Sequence, residues 1–486
     1  MKLIRSMLPV AVAVAFLVTA FAQADEVKNR LQEFYQPDQV QTVHLQVAEA
    51  DLQKMVAALP KRIYVPATFR WRDVSISKVA VRYKGNSSSN PRQRHKRSFL
   101  VKFNEYEEQQ RFLGLQRVSF DNAIQFGSLF SEPIVTEILS DQGIKTHRCN
   151  YARIYLNGKF HGVYPNVERI DESFIANHLP DAKGGLYKCD LGGPGSNLQF
   201  IGVDSATYKK AFEPKNKESK EDLASLVGFI KTVNEAQKGD VAATFQSKME
   251  LDDFLRVTAV MCFSGAFDQL TGWNPHNYYL YHDRERDRWR YLPWDLDVGF
   301  CEVAFGHIHV LEDWNAAWPA APNGAPNPLL DGIVADPSLL VRYREVATEI
   351  LEKYFTPERL HRVIDAKYAL IKKDLQKDPF PHDRITNPND RSYEDIVASM
   401  KIFIQKRYDS ARKQLDAPGP RPQPKPRRHT PPPPELEAKI KQMQRLVHLR
   451  IQRIGSLLQR GRSDEAEKLI DETTKLLRET SPAEKE

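Results

Sequence analysis

The sequence is poor in cysteine. Its 486 residues include only four, and no two of them are spaced as C-x-x-C, which excludes a zinc ribbon and a thioredoxin-type redox motif. Because the number is even, disulfides and buried free thiols are both open interpretations, and the sequence does not choose between them. The four are Cys149, Cys189, Cys262 and Cys301.

The signature motifs of several common enzyme classes are also absent. The chain has no G-x-S-x-G elbow, no H-E-x-x-H and no Walker A loop, which argues against a serine hydrolase, a zinc peptidase and a P-loop NTPase. On a strand, His307 and His309 would share one face near Glu302. No third metal ligand stands at a suitable spacing, so structural histidines are the better interpretation.

Long apolar runs are missing except at the N-terminus. Lys2 and Arg5 precede an apolar run over residues 8–21, and Ala22-Gln23-Ala24 follows it. This pattern predicts a secretory signal peptide over residues 1–24. No later segment reaches about 18 apolar residues, the length of a membrane span. We therefore expect an exported protein, located in the periplasm, on the cell surface or outside the cell.

The charge of the chain is unremarkable. A formal net charge of +7, with 41% hydrophobic and 27% charged residues, is ordinary for a soluble globular protein. A modest positive charge permits an acidic ligand such as a nucleotide, but it does not indicate a nucleic-acid partner, and we expect none.

The main part of the chain is β-rich first and helical afterwards. Alternating or β-branched runs predict strands, and Asn157-Gly158 supplies the turn of a hairpin over residues 152–164. A second hairpin is predicted from residues 278–281 and 289–292. The order predicts an α+β fold for a domain over residues 25–416. Further strands are predicted at 43–47, 79–83 and 98–103, and helices at 132–142, 223–234, 251–267, 336–354, 357–376 and 393–415.

The C-terminal part has a different composition. Residues 417–434 alternate proline with arginine and lysine, which predicts a semi-rigid, extended linker. Residues 435–458 and 463–479 then have helical spacing of apolar residues, which predicts a helical hairpin over 435–480. Two helices alone bury too little apolar surface, so we expect this hairpin to dock a partner protein or the main domain.

Four acidic or amide residues flank the second predicted hairpin. Asp268 follows a helix, Asn277 opens the first strand, and Asp295 and Asp297 follow the second strand. Because the open ends of a hairpin are neighbours, we expect these side chains to share one rim. Phosphoryl transfer needs a carboxylate to orient the nucleophile and oxygen ligands for a divalent cation, a scheme that protein kinases use.

In that scheme Asp268 is the catalytic base, and Asn277 and Asp295 are ligands of Mg²⁺ or Mn²⁺. Asp297 either coordinates a second ion or faces away. Taken singly, an Asp after a helix is usually a turn residue, and W-D-L-D also suits a solvated loop.

Five segments, in order along residues 41–415, resemble the CotH kinase family, a spore coat protein H-like branch of protein kinase-like enzymes. The resemblance implies a divergent bilobal protein kinase-like fold with a β-rich N-lobe and a helical C-lobe. The segments are Lys84-Gly85-Asn86-Ser87-Ser88, Lys96-Arg97-Ser98-Phe99, Leu156-Asn157-Gly158 through Glu168, Asp268 to His276-Asn277-Tyr278-Tyr279-Leu280-Tyr281, and Pro293-Trp294-Asp295-Leu296-Asp297.

The resemblance also implies the residues of an ATP site. The loop over Gly85, Asn86, Ser87 and Ser88 would cover the phosphates, although it begins with Lys84 where the family normally has arginine. Lys96 would bind phosphate, with Lys102 as the competing candidate, and Glu168 would be a carboxylate facing the lysine or the adenine. Taken without the resemblance, these are ordinary turn and surface residues.

The signal-peptide pattern and the resemblance together lead us to expect a secreted, metal-dependent atypical protein kinase that uses ATP to phosphorylate serine or threonine of envelope or extracellular proteins. The competing interpretation is a catalytically weak pseudokinase that serves as a structural or binding protein of the cell envelope or matrix.

Overall fold

Alternation of buried and exposed side chains shapes the first strands of the molecule. β1 (Val40–Val47) and β2 (Val65–Trp71) each bury every second residue on one face, as half-buried strands do. Seven strands close into a barrel in the order β1-β2-β3-β4-β5-β7-β6, and a parallel pairing of β1 with β6 completes the circle. The other five are β3 (Val74–Lys84), β4 (Ser98–Lys102), β5 (Arg117–Phe120), β6 (Cys149–Leu156) and β7 (Lys159–Val167).

This computed structural model describes residues 25–86, 88–93, 96–123, 128–306, 308–322, 324–380, 384, 386–387, 389–423, 434–459 and 461–480. The predicted signal peptide, the loop residue Ser87 and His307 lie outside these residues, as do residues 424–433 of the predicted linker. The lead-in over residues 25–34 is helical.

The predicted turn between β6 and β7 is confirmed. Asn157 and Gly158 have φ angles of 51° and 79°, the left-handed conformation that a two-residue hairpin turn requires. The Asn157 side chain also accepts from Val47 N and donates to Val47 O, at 2.8 Å each. One asparagine therefore closes the hairpin and ties it to β1.

A second sheet follows the barrel in the chain, with antiparallel strands in the order β11-β10-β8-β9. The hairpin of β10 and β11 confirms the prediction, whereas the short strands β8 and β9 were not predicted. The strands are β8 (Gly185–Cys189), β9 (Phe212–Pro214), β10 (Tyr278–Asp283) and β11 (Arg288–Pro293), and a two-residue pair β12 (Val303–Ala304) and β13 (Ile308–His309) lies beyond them.

The helices of the main unit confirm the predicted helical second half. Their bounds are α1 (Glu49–Ala57), α2 (Ser131–Asp141), α3 (Glu172–His178), α4 (Lys217–Glu221), α5 (Leu223–Glu235), α6 (Val241–Lys248), α7 (Leu251–Ser264), α8 (Val310–Asp313), α9 (Pro328–Ala335), α10 (Pro337–Lys353), α11 (Pro357–Leu375) and α12 (Tyr393–Asp416).

The central helix α7 is buried at 11 of its 14 residues and contacts α10, α12 and β11. It ends three residues earlier than predicted, because Gly265 adopts the left-handed conformation with φ 71°. A Cβ at this position would stand 2.3 Å from Val310 Cγ1, so glycine is needed there. The early end frees the loop that carries Asp268.

The chain separates into two compact units, Met1–Pro424 and Lys425–Glu486, at a point inside the predicted linker. The second unit is an antiparallel helical hairpin of α13 (Pro434–Gln459) and α14 (Ser463–Thr480). Gly461, with φ 69°, lies in the turn. Ala466 and Thr473 of α14 are buried.

The α+β class is confirmed, and the kinase-like bilobal arrangement remains an expectation. All four cysteines are free and buried. Within the described ranges, no helix has the length and apolar character needed to cross a membrane.

Candidate active site

The hairpin of β10 and β11 places Asn277 beside Asp295. Tyr278 pairs with Pro293, and Trp294 N donates to Asn277 O at 2.9 Å, so the pairing continues one step past the strands. Asn277 and Asp295 both have left-handed backbones, with φ 57° and 60°. Such conformations are uncommon for residues other than glycine and concentrate at functional sites.

Asp268 lies against Asn277. The Asn277 Nδ2 donates to Asp268 Oδ2 at 2.8 Å, and Asp268 Oδ1 is buried with no hydrogen-bond partner. Burial raises the pKa of Asp268 to about 6, against the smaller lowering effects of His276 and the Asn277 hydrogen bond. This carboxyl therefore exchanges its proton close to neutral pH.

Asp295 and Asp297 extend this group. Burial raises the pKa of Asp295 to about 7, opposed by the Lys84 ammonium and reinforced by neighbouring carboxylates. Burial and the charges of Asp295 and Asp268 raise the pKa of Asp297 well above its ordinary value. We call the following five carboxyls the acidic cluster, because the charges of the first three raise the pKa values of the last two: Asp121, Glu132, Asp268, Asp295 and Asp297.

Backbone and side-chain hydrogen bonds hold the segment that carries Asp295 and Asp297. The buried Gln269 donates to Trp294 O at 2.8 Å and accepts from the Tyr291 hydroxyl at 3.2 Å. Ser128 N donates to Asp297 O at 3.1 Å. These contacts fix the backbone on both sides of Asp295.

Three cations surround the Trp294 ring, which is 2% exposed. Lys84 Nζ, Arg169 Cζ and Lys188 Nζ lie 5.6, 4.7 and 5.8 Å from its centroid, within cation–π range. We call Lys84, Arg169 and Lys188 the cation trio. Lys84 forms a salt bridge with Asp121 of the acidic cluster, so the two groups adjoin.

A family model described as "CotH kinase protein" matches residues 81–411, more than half of the chain. This chain belongs to the CotH kinase family. The inner spore coat protein H of Bacillus subtilis (strain 168) is 23% identical over 316 residues, which cover 65% of this chain and 82% of that protein. The family match includes the acidic cluster and the cation trio, and it ends before the C-terminal hairpin.

The lysine assigned to phosphate from the CotH kinase resemblance lies elsewhere. Lys96 is fully buried, and its Nζ donates to Asp378 Oδ2 at 2.8 Å and to Val163 O at 2.5 Å. The structure thus brings Lys96 together with Asp378 rather than with the acidic cluster. Lys102, the competing candidate, forms a salt bridge with Glu105 at 2.5 Å.

The loop expected to cover phosphates starts at the end of β3, next to Lys84. Gly85 has φ 82°, Asn86 is exposed, and the buried Ser88 hydroxyl donates to Lys84 O. The Arg97 guanidinium donates to Ser88 O. The described part of this loop therefore adjoins the cation trio through Lys84.

Glu168 makes its polar contacts with Arg148 and His178 and not with the predicted lysine. Arg148 Nε donates to Glu168 Oε2 at 2.8 Å, and His178 Nε2 lies 3.1 Å from both carboxylate oxygens. Burial alone would raise the pKa of Glu168, but hydrogen bonds from His178 and Arg148 outweigh it and lower the pKa to about 2. Glu168 is a permanent anion in an ion-pair group.

Sequence reasoning missed Asp121, Glu132, Arg169 and Lys188. Lys188 is 7% exposed and is the fourth of the five residues of β8, opposite Tyr279 of β10. A lysine within a buried strand is unusual and was the available signal, but the strand itself was too short to predict.

The acidic cluster fits a hard divalent cation in donor type and charge. Its ligands are oxygens, and Asp121 Oδ2, Glu132 Oε2 and Asp268 Oδ1 are buried without hydrogen-bond partners. In the described part of the chain, no three His, Cys, Asp or Glu side chains stand close enough together to hold a metal ion. A cation would therefore have to draw these carboxylates together.

Proposed function

We propose that this CotH kinase family protein transfers the terminal phosphoryl group of ATP to a serine or threonine hydroxyl of an exported protein. The observation that carries the proposal is the juxtaposition of the cation trio with the acidic cluster, in which burial raises the pKa values of Asp268, Asp295 and Asp297. Strongly perturbed carboxyls in one buried group are costly to a fold and are typical of active sites.

We assign Asp268 as the base that accepts the proton of the attacking hydroxyl group. With a pKa of about 6, its carboxylate is mostly ionised at pH 7 to 8 and still basic enough to accept a proton. The substrate hydroxyl oxygen bonds to the γ-phosphorus, the bond from that phosphorus to the β,γ-bridging oxygen breaks, and the hydroxyl proton passes to Asp268. ADP leaves with the bridging oxygen.

Asn277, Asp295 and Asp297 are the residues we assign to Mg²⁺ or Mn²⁺. The Asn277 amide nitrogen donates to Asp268, so the amide oxygen of Asn277 remains available to bind a cation. A divalent cation bound there would neutralise the phosphate charge and align the transferred group. The left-handed backbones of Asn277 and Asp295 keep their side chains at the open end of the hairpin.

The location outside the cytoplasm is part of the proposal. It is supported by the signal-peptide pattern over residues 1–24 and by similarity to a protein named for the spore coat. The C-terminal hairpin leaves Leu446, Leu449, Leu458 and Ile470 exposed, which supports our expectation that it docks a partner protein.

Labelling with γ-phosphate-labelled ATP tests the activity. Mature protein with Mg²⁺ or Mn²⁺ should label itself or a supplied envelope protein on serine or threonine. Asp295→Ala should abolish the label, and Asp268→Ala should reduce it by orders of magnitude. Glu285→Gln is the matched control, because Glu285 is exposed in the turn at the opposite end of the same hairpin. Equal labelling by wild type and Asp295→Ala would rule out the kinase.

A catalytically weak pseudokinase that acts as a structural or binding protein is the second candidate. The name of the similar spore coat protein favours it, and so does the finding that no three candidate ligands in the described ranges are placed to hold a metal ion. In that case the protein would bind nucleotide with metal but label nothing, and Asp268→Ala would leave binding unchanged.

A further inference from the structure

Arg169 is a half-buried cation without a salt-bridge partner in the described part of the chain. It lies two residues beyond the end of β7, with Cζ 4.7 Å from the Trp294 centroid. Its Nε is buried and has no hydrogen-bond partner. Guanidinium groups prefer planar, bidentate oxygen acceptors such as phosphate or carboxylate, so an unpaired one in this position is poised for an anion.

Lys188 approaches the same ring from β8. Its side chain is 8% exposed, and its Nζ lies 5.7 Å from the Tyr279 centroid and 5.8 Å from the Trp294 centroid. Its one salt bridge among the described residues is to Asp190, whose side chain is 36% exposed. Two hydrogens of the ammonium are therefore left for other acceptors.

Charges of both signs lie close to Trp294. The next residue, Asp295, belongs to the acidic cluster, while Arg169 and Lys188 lie around the ring. A metal-bound polyphosphate has complementary charges, because its divalent cation can face the acidic cluster while its phosphate oxygens face Arg169 and Lys188. Lys84 lies between the two groups, near Trp294 and in a salt bridge with Asp121.

We propose that Arg169 and Lys188 bind the phosphates of the nucleoside triphosphate, a role that the family resemblance implies for Lys96. This inference rests on the proposed function. Lys96 already donates to Asp378 and Val163 O in a fully buried position. Arg169 and Lys188 retain free donors beside the acidic cluster.

The experiment measures the affinity of the full mature chain for AMP, ADP, ATP and inorganic tripolyphosphate by calorimetry with Mg²⁺. Wild type should bind more tightly as phosphates are added. Lys188→Met and Arg169→Met should each weaken ATP and tripolyphosphate binding by about tenfold or more, the usual effect of losing a charge-assisted hydrogen bond. Both should bind AMP nearly as wild type does.

Matched variants separate ligand binding from folding. Lys231→Met removes the same charge from an exposed lysine on α5 and should leave every affinity unchanged. Lys188→Arg keeps the charge and should retain most of the ATP affinity. Unchanged ATP affinity in both methionine variants would overturn this inference while leaving the proposed function standing. Failure of wild type to bind any nucleotide would reject the proposed function, and failure to bind tripolyphosphate as well would reject the phosphate site.

Discussion

The carboxylate of Asp295 should destabilise the metal-free protein above neutral pH. Its pKa rises from 3.8 to about 7 on folding because the group is buried among other carboxyls. The unfolded chain therefore releases this proton near pH 4, while the folded chain keeps it until about pH 7. The stability contributed by the protonated form is lost as pH rises across that window.

The size of the effect follows from the pKa change. At about 1.4 kcal/mol for each factor of ten in proton affinity, ionising Asp295 at pH 8 costs the folded state about 4 kcal/mol. Asp295→Asn keeps the shape of the side chain and removes the ionisation. We expect the variant to be more stable than wild type at pH 8 by about 2 to 4 kcal/mol, and the gain to vanish near pH 4.

Urea denaturation in the presence of EDTA at pH 8 and pH 4.5 measures this difference. Asp287→Asn is the control, because folding shifts the pKa of Asp287 in the opposite direction. A hydrogen bond from Lys248 lowers the pKa of this residue, which lies on the same hairpin. That variant should be equally stable or less stable than wild type. An Asp295→Asn variant that is less stable than wild type at pH 8 would refute the reasoning. It would show that attraction to the Lys84 ammonium stabilises the Asp295 carboxylate by more than burial destabilises it.

Three further predictions concern the same site. Mg²⁺ or Mn²⁺ should raise the thermal midpoint of unfolding more at pH 8 than at pH 5.5, because protonated Asp268 and Asp295 do not ligate a cation. A thermal-shift assay that finds an equal rise at both pH values would contradict this prediction. Gln269→Ala should lower the labelling rate by about tenfold or more without unfolding the protein, because it removes the hydrogen bond to Trp294 O. Steady-state labelling measures the rate, and circular dichroism shows whether the variant is folded. Lys96→Met should destabilise the fold by about 3 to 5 kcal/mol by leaving Asp378 buried and unpaired, while the folded fraction binds ATP as wild type does.

The sequence predicts the parts of the site that depend on local structure. The hairpin of β10 and β11 has strong strand patterns on both sides of a charged turn, and its geometry brings Asn277 and Asp295 together without knowledge of the rest of the fold. The Asn157-Gly158 turn is predicted for the same reason, since its φ angles are a local property.

The parts that depend on distant contacts could not be predicted in this way. Lys96 stands in a run of basic residues, and only the structure shows its partner Asp378, 282 positions away in the chain. Lys188 reaches Trp294 through pairing of β8 with β10, and Arg169 reaches it from the segment after β7; no local pattern encodes either contact. Closure of the barrel likewise requires β1 to pair with the distant strand β6.

Calorimetric titration of ATP with Mg²⁺ into the mature chain tests the central claim most directly. Wild type and Glu285→Gln should bind ATP only when the metal is present, and Asp295→Asn should lose this metal-dependent binding while remaining folded. Metal-independent binding, or equal affinity in wild type and Asp295→Asn, would contradict a nucleotide site built on the acidic cluster.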